Sequence, residues 1–417
     1  MKKRVVITGM GVVSPNGIGR EEFCRATLAG KSGVRRISRF DPSDLPVQIA
    51  GEISGFDELA WIDSHERKHV SRVVPLALAA SSEALAQAGV EPETLSLTER
   101  RNIGVVLGTG GGAQEFSEEM YRLYFSGRSK NASLYSIPSG TAGTLASELS
   151  MRFGFRGMSH VLSTGCTSST DALGYALRQI QHGYLPMMLA GGADAPIAPG
   201  IMKGFTLMKI LTASWNDAPE RASRPFSADR DGFVLGEGSW MFVVEELDHA
   251  QARGAQPLAE VVGYGSTCEA FHRVRLQEDG EEPARAIQTA IEDAGVAAND
   301  IDYVNLHGTS TELNDRIETR ALKLALNCRA HSIPMSSLKS QVGHPQGASG
   351  AAGVAATLIA MLHGKVPPTI NLEKPDPDCD LDYVPEAGRE RAVEHAVCNC
   401  IGFGSKNSAL VVRRWNS

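Results

Sequence analysis

Short apolar runs rich in β-branched residues alternate along this chain with longer stretches of helical period. The runs at 4–8, 103–107, 161–163, 187–190, 240–244, 259–262, 303–306 and 409–413 predict strands, several of them stopped by glycine. The Ala-rich stretch 70–88 predicts a long helix, closed by Gly89. Strands alternating with helices predict an α/β fold with buried sheets. The polar stretches 34–55, 114–133 and 271–282 read as loops or cap elements.

The pattern repeats weakly. IGVVLGTG at 103–110 resembles DYVNLHGT at 302–309, each an apolar strand ending in Gly-Thr. SHVLSTGC at 159–166 leads into a helix ending QIQHG, and PMSSLKSQVGH at 334–344 leads into one ending AMLHG. In each copy a strand delivers one reactive side chain, Cys166 or His344, to the mouth of an apolar helix. Two tandem α/β halves, 1–255 and 256–417, account for the length, and no Pro/Ser-rich linker or charge block interrupts them.

Composition narrows the class. Of 417 residues, 42% are hydrophobic and 21% charged, values of an ordinary globular protein, which excludes disordered, collagenous and coiled-coil chains. With 41 Lys plus Arg against 48 Asp plus Glu, the net charge is -7, so nucleic acid and anionic membranes exert no global attraction. An acidic partner then has to be met by a local basic patch. Seven scattered cysteines, an odd number, argue against a disulfide framework and for a reducing, cytoplasmic setting. The opening MKKRVVITGMGVVSP reads as a first strand rather than a signal peptide, and no apolar run is long enough for a membrane span.

Three residues at strand-to-loop junctions can carry chemistry. Cys166 stands before a predicted helix whose apolar face is Ala172, Leu173, Ala176, Leu177 and Ile180. A helix N-terminus favours thiolate and offers N–H donors to an oxyanion. Most free cysteines are small buried hydrophobes, and the local pattern does not choose between the two readings. His307 in HGTST and His344 in KSQVGH share the junction context, with Lys339 five residues before the latter. A cysteine with two histidines suits covalent acyl chemistry, which needs a nucleophile and a manager of protons or hydrogen bonds. Asp315 and Glu318 share one helical face, able to orient a histidine, pair with Lys339, or only complement a helix start. Cys398 and Cys400 form a lone C-x-C, too little for a zinc site. Gly402-Phe403-Gly404 reads as a flexible turn with Phe403 as gate or pin.

At these residues the chain resembles the β-ketoacyl-[acyl-carrier-protein] synthases, condensing enzymes of the thiolase superfamily. The resemblance runs nearly end to end, through VVITGMGVVSP, TGCTSS, AGGAD, SRPFSADRDGFVLGEG, HGTST, LKSQVGH, VPPTINL and CNCIGFGSKN. It is nearest to the stand-alone elongating type, synthase II. It implies a thiolase-like fold of two pseudo-symmetric halves in five αβαβα layers, and needs no cofactor or metal. It implies a Cys166, His307, His344 triad for decarboxylative condensation with malonyl-carrier protein. It also implies an oxyanion hole from the N–H groups of Cys166 and Phe403, and Lys339 supporting the second histidine, His344. Glu318 would be an acid of the same network and Phe403 the gate, flanked by Gly402.

The resemblance further implies an acyl carrier protein as partner, with Lys209 matching a family basic position. Arg67, Lys68 and Arg72 in HERKHVSR, opening the first long helix, are the local charges to meet such an acidic partner, or else a solvated helix face. The resemblance also implies a homodimer, or a heterodimer with a chain-length-factor homologue. Three departures lean toward polyketide or polyene synthesis over fatty-acid synthesis. Gly353 replaces a glutamate, as in modular polyketide ketosynthases. Gly111 replaces a bulky residue of the acyl pocket that Phe205 also lines. Ile401 replaces an aromatic two residues before the gate. A coenzyme A thiolase is the rival, since Cys398 and Cys400 lie near the C-terminus, but the paired histidines favour the decarboxylating branch. TGMGVVS at 8–14 lacks the third glycine of a dinucleotide fingerprint.

Overall fold

The computed structural model describes residues 2–416. Ten strands carry the fold: β1 (Val5–Ser14), β2 (Ile103–Gly108), β3 (Ser159–Leu162), β4 (Met187–Asp194), β5 (Gly238–Glu246), β6 (Ala259–Cys268), β7 (Tyr303–Asn305), β8 (Met335–Ser336), β9 (His395–Gly402) and β10 (Lys406–Arg414). The helices that matter here are α1 (Val73–Gln87), α2 (Gln114–Phe125), α3 (Thr144–Phe153), α4 (Ser168–Gln181), α5 (Pro199–Leu207), α6 (Glu281–Ala294), α7 (Glu312–Leu326) and α8 (Ser349–His363).

The strands fall into two five-stranded halves of identical plan. The first runs β3-β2-β4-β5-β1 and the second β8-β7-β9-β10-β6. In each, the first three strands are parallel and the last two antiparallel. The halves meet where β1 pairs with β6, Val6 opposite Glu260 and Ile7 opposite Ala259. Helices α4 and α8 pack together between the halves, α1 covers the outer face of the first, and α6 and α7 cover the second. This is the thiolase-like five-layer arrangement.

A glycine pair repeats the symmetry at the level of side chains. A Cβ on Gly9 would sit 2.0 Å from the Ala84 carbonyl oxygen, and one on Gly11 would sit 1.9 Å from that of Ala80. In the second half, a Cβ on Gly263 or Gly265 would sit 2.0 or 2.2 Å from the carbonyl oxygen of Ala290 or Ala286. Only glycine lets a helix lie this close on its strand, so β1 with α1 and β6 with α6 are one design used twice.

Several elements differ from expectation. Residues 114–125 are helical, because Phe116, Met120 and Leu123 give α2 a buried face within a polar sequence. Strand β9, not anticipated, runs up to Gly402, and the turn expected at Gly402-Phe403-Gly404 follows directly at its end. Helix α1 begins at Val73, so Arg67 and Lys68 lie in a separate short turn before it. Among the described residues, no helix is long and apolar enough to cross a membrane.

Candidate active site

Strand β3 ends four residues before Cys166. Gly165, at φ 71, turns the chain, and Ser168 Oγ accepts the Thr164 N–H at 2.9 Å, setting the sulfur just ahead of α4. The second copy of the motif brings His344 to the same place ahead of α8, its N–H donating to the Val234 carbonyl at 2.7 Å. His307 follows β7. The Cys166 sulfur and ring nitrogens of His307 and His344 lie within 4.8 Å of one another. The two imidazoles stand edge to face, centroids 5.4 Å apart at 87°.

The D-x-x-E pair builds the His307 loop from below. Glu318 accepts the N–H groups of His307 and Gly308, each at 2.7 Å, and the Asn399 amide at 2.7 Å. Asp315 accepts Thr309 N–H at 3.0 Å and Phe226 N–H at 2.8 Å, with Arg230 at 3.4 Å. The motif SRPFSADRD therefore clamps the same loop from the other side. Burial pushes Glu318 up to about 7, against the hydrogen bonds that favour its charge.

Lys339 differs from expectation. Its ammonium donates to the His307 carbonyl at 2.6 Å and faces His307 Nδ1 at 3.3 Å, so it supports the first histidine rather than His344. It forms no ion pair with Glu318 among the described residues, because the carboxylate is taken up by backbone N–H groups. A donor at Nδ1 leaves the His307 proton on Nε2. The partner of His344 is Ser349, whose Oγ lies 3.1 Å from Nδ1. Burial, and then Lys339, hold both imidazoles well below the usual histidine range, so both are neutral.

Cys166 also departs from expectation. Burial pushes its thiol up to about 11, although the Lys339 charge and the N–H groups of Phe403 and of Cys166 itself pull the other way. Both N–H groups are thus directed at the Cys166 sulfur. Gly402 makes this approach possible, since a Cβ there would lie 3.2 Å from the Cys166 nitrogen. The Phe403 turn is tied to the chain before α6, with Gly404 N–H on the Arg273 carbonyl at 2.9 Å and Ser405 Oγ accepting His272 N–H at 3.1 Å.

A cavity of about 260 Å³ opens onto Cys166, His307, His344 and Phe403. Met208, Ile210, Leu276, Leu313 and Ile401 give it an apolar wall, and Arg275, Thr309, Thr311 and Asn314 add a polar side. Ile401 is thus on the wall, but Phe205 stands behind it, edge-on to the lining Phe233 at 5.7 Å. Gly111 lies outside this lining, with its N–H on Asp194 at 3.1 Å. Gly353 leaves no gap, because the Asn305 carboxamide occupies the space, 2.5 Å from where a Cβ would be. The triad's spread would suit a metal ion as well as a thioester, but the Lys339 ammonium beside His307 opposes a cation.

Of the docking candidates, Lys68 and Lys209 are exposed and Arg67 is partly exposed, paired with Glu58. Arg72 is not a docking residue. Its side chain is 4% exposed and bidentate to the buried Glu237, at 2.7 and 3.2 Å, so it is a core ion pair. Sequence reasoning missed Asp194 and Ser349. Asp194 accepts N–H groups of Gly110 and Gly347, each at 2.7 Å, locking the two halves behind the triad. Its only signal was an acid separated by one residue from the Gly191-Gly192 pair in AGGAD.

Residues 2–250 match the family described as beta-ketoacyl synthase, N-terminal domain, and residues 258–373 match its C-terminal domain. The chain belongs to the β-ketoacyl synthase family. It is an acyltransferase of the ketosynthase type, with condensation activity of fatty-acid or polyketide assembly. It is 43% identical to a putative polyketide beta-ketoacyl synthase 1 of Streptomyces halstedii, over 99% of this chain and 98% of that one. It is 40% identical to 3-oxoacyl-[acyl-carrier-protein] synthase 2 of Synechocystis, over 99% of each. Among solved structures, the ishigamide ketosynthase/chain length factor superposes with a TM-score of 0.92 at 32% identity, covering all of both chains. A type II PKS acyl-carrier protein in complex with its ketosynthase bound to the hexaketide gives 0.90 at 31%, again over all of both.

Proposed function

We propose that this ketosynthase extends an acyl chain by decarboxylative Claisen condensation with malonyl-acyl-carrier protein. The observation that carries the reading is the buried thiol flanked by two neutral imidazoles in one apolar cavity. Cys166 attacks the thioester of an acyl-carrier protein, and its proton leaves with the carrier's thiol. The N–H groups of Cys166 and Phe403 hold the oxyanion. Malonyl thioester then enters, and its carbonyl accepts from Nε2–H of His307 and of His344, the latter set by Ser349 donating to Nδ1. Carbon dioxide departs, the enolate carbon attacks the acyl carbonyl, and the Cys166 thiolate is expelled. The product is a β-ketoacyl carrier protein two carbons longer. Neutral, donating imidazoles suit an enolate better than a proton-abstracting base would. The thiols of Cys398 and Cys400 line no part of the cavity, and burial pushes both up to about 12, which disfavours a thiolase role for either.

Acidic carrier protein fits Lys68 and Lys209, the latter adjoining Met208 on the cavity wall. The relatives' pairing of ketosynthase with carrier protein and chain-length factor supports the same partners here. So do the unpaired sheet edge at β3 and, in the same half, the exposed Phe125, Leu134 and Ile137. The Asn305–Gly353 contact and the polyketide relatives favour polyketide-type chains over ordinary fatty acids.

Intact-protein mass spectrometry after exposure to acyl-carrier protein tests the reading. A single acyl adduct on Cys166, absent from Cys166→Ala, is expected, and Cys166→Gln should still decarboxylate malonyl-carrier protein. An alanine variant that acylates at the wild-type rate would sink the assignment. Lys209→Glu should raise KM for carrier-bound substrate and spare a small thioester. Equal loss on both removes the docking role.

A further inference from the structure

Two residues beyond His344, Gln346 combines two costs at one position. Its backbone is left-handed, at φ 46, although it is not glycine. Its side chain is all but enclosed, at 7% exposure, and the carboxamide Nε2 has no hydrogen-bond partner. A left-handed non-glycine and an unpaired buried donor are each unfavourable, and both persist here beside the proposed chemistry. Leucine would fill this volume without the unpaired N–H.

The surroundings place Gln346 on the inner side of the site. Gly110 lies against it, close enough that a Cβ on Gly110 would be 3.3 Å from Gln346 Cβ. Asp194 ties Gly110 to Gly347 through one oxygen, at 2.7 Å each, so this wall is fixed. The Gly110 carbonyl in turn meets Ser163 Oγ at 3.5 Å, three residues before Cys166. Gln114, next to Gly111, adds a second carboxamide to this wall, 3.3 Å from a Cβ built there. Malonyl thioester needs the cavity past Phe403 while the first chain is still attached to Cys166. A chain that runs the other way would meet the wall of Gly110 and Gln346.

Resting on the condensing reading above, we infer that Gln346 is a specificity-determining residue for that chain. Its carboxamide N–H donates to a ketone or hydroxyl oxygen carried by the growing acyl group. The substrate class is thus an oxygen-bearing chain, rather than a fully reduced one of the same length. A site with a waiting donor disfavours the analogue that leaves it unpaired.

The test is a competition on the full-length enzyme between a saturated acyl-carrier protein and its mono-hydroxylated forms of equal length. Wild type should favour at least one hydroxylated form by about tenfold in kcat/KM, the worth of one neutral hydrogen bond. Gln346→Leu should lose that preference, gain on the saturated chain, and unfold at the same or higher urea concentration, since the unpaired donor is gone. A wild type without preference, or a Leu variant that keeps it, overturns the inference and leaves the condensing chemistry standing. No Cys166 adduct with any of these chains overturns the condensing reading and this inference with it.

Discussion

Arg72→Ala separates a core ion pair from a docking contact. The guanidinium is bidentate to Glu237, whose side chain is 0% exposed, and it also pairs with the half-buried Glu58. Burial works against the Arg72 charge, and the two carboxylates outweigh it. Removing the arginine strands a carboxylate whose remaining partner is the Ile53 N–H at 3.0 Å. Breaking such a pair costs about 3–5 kcal/mol, whereas replacing both members by apolar groups is near neutral. Urea unfolding should therefore show Arg72→Ala destabilised by about that amount, and Arg72→Met with Glu237→Leu should recover most of it. KM for carrier-bound substrate, measured on the folded fraction, should not change in Arg72→Ala. Unaltered stability together with a raised KM for carrier-bound substrate alone would refute the reasoning and return Arg72 to the surface.

Four other outcomes follow from the geometry. Cys166 alkylation by iodoacetamide should climb about tenfold per pH unit below about 11, because burial raises the thiol and only thiolate reacts. Malonyl decarboxylation by Cys166→Gln should stay flat above about pH 6.5, because both histidines are held neutral there, and a rise or fall through pH 7 would contradict that. Gly353→Glu should lose about 1–3 kcal/mol by overpacking against Asn305, and adding Asn305→Ala should restore part of it in urea unfolding. Gly111→Ile should fold normally, since its Cβ presses on the movable Gln114 side chain and meets Asp194 only at an ordinary 3.7 Å, and should shorten the accepted acyl chain; an unchanged product distribution removes Gly111 from the chain's path.

The repeat of strand, reactive residue and apolar helix was legible at Cys166 and His344 because local pattern alone encodes it. The deeper symmetry, Gly9 and Gly11 against α1 and Gly263 and Gly265 against α6, was hidden, since a close approach shows only when both surfaces are known. Strand β9 was missed because its end reads as the Gly402-Phe403-Gly404 turn, yet every residue from Ala396 to Gly402 is buried, paired with β10 throughout and with β7 from Ala396 to Cys398. The D-x-x-E pair was visible, but its role was not. A carboxylate that holds backbone N–H groups across 10 or 11 residues, as Glu318 does, leaves no spacing signature. Arg72 misled for a related reason: a charge run reads as a surface, and only the fold reveals a buried Glu237 opposite one member. The same limit applies to Lys339, which the resemblance pairs with His344 and the fold places against His307.

The central claim is that decarboxylation and carbon–carbon bond formation are coupled on an acyl group held by Cys166. The direct measurement supplies acyl-carrier protein and malonyl-carrier protein with an isotopic label in the free carboxyl, and follows labelled carbon dioxide and carrier-bound product together by mass spectrometry. The account predicts one labelled carbon dioxide for each β-ketoacyl carrier protein, an unlabelled product two carbons longer, and no product from Cys166→Ala. Product that retains the labelled carboxyl, or product formed from acetyl-coenzyme A with no carbon dioxide released, would contradict it.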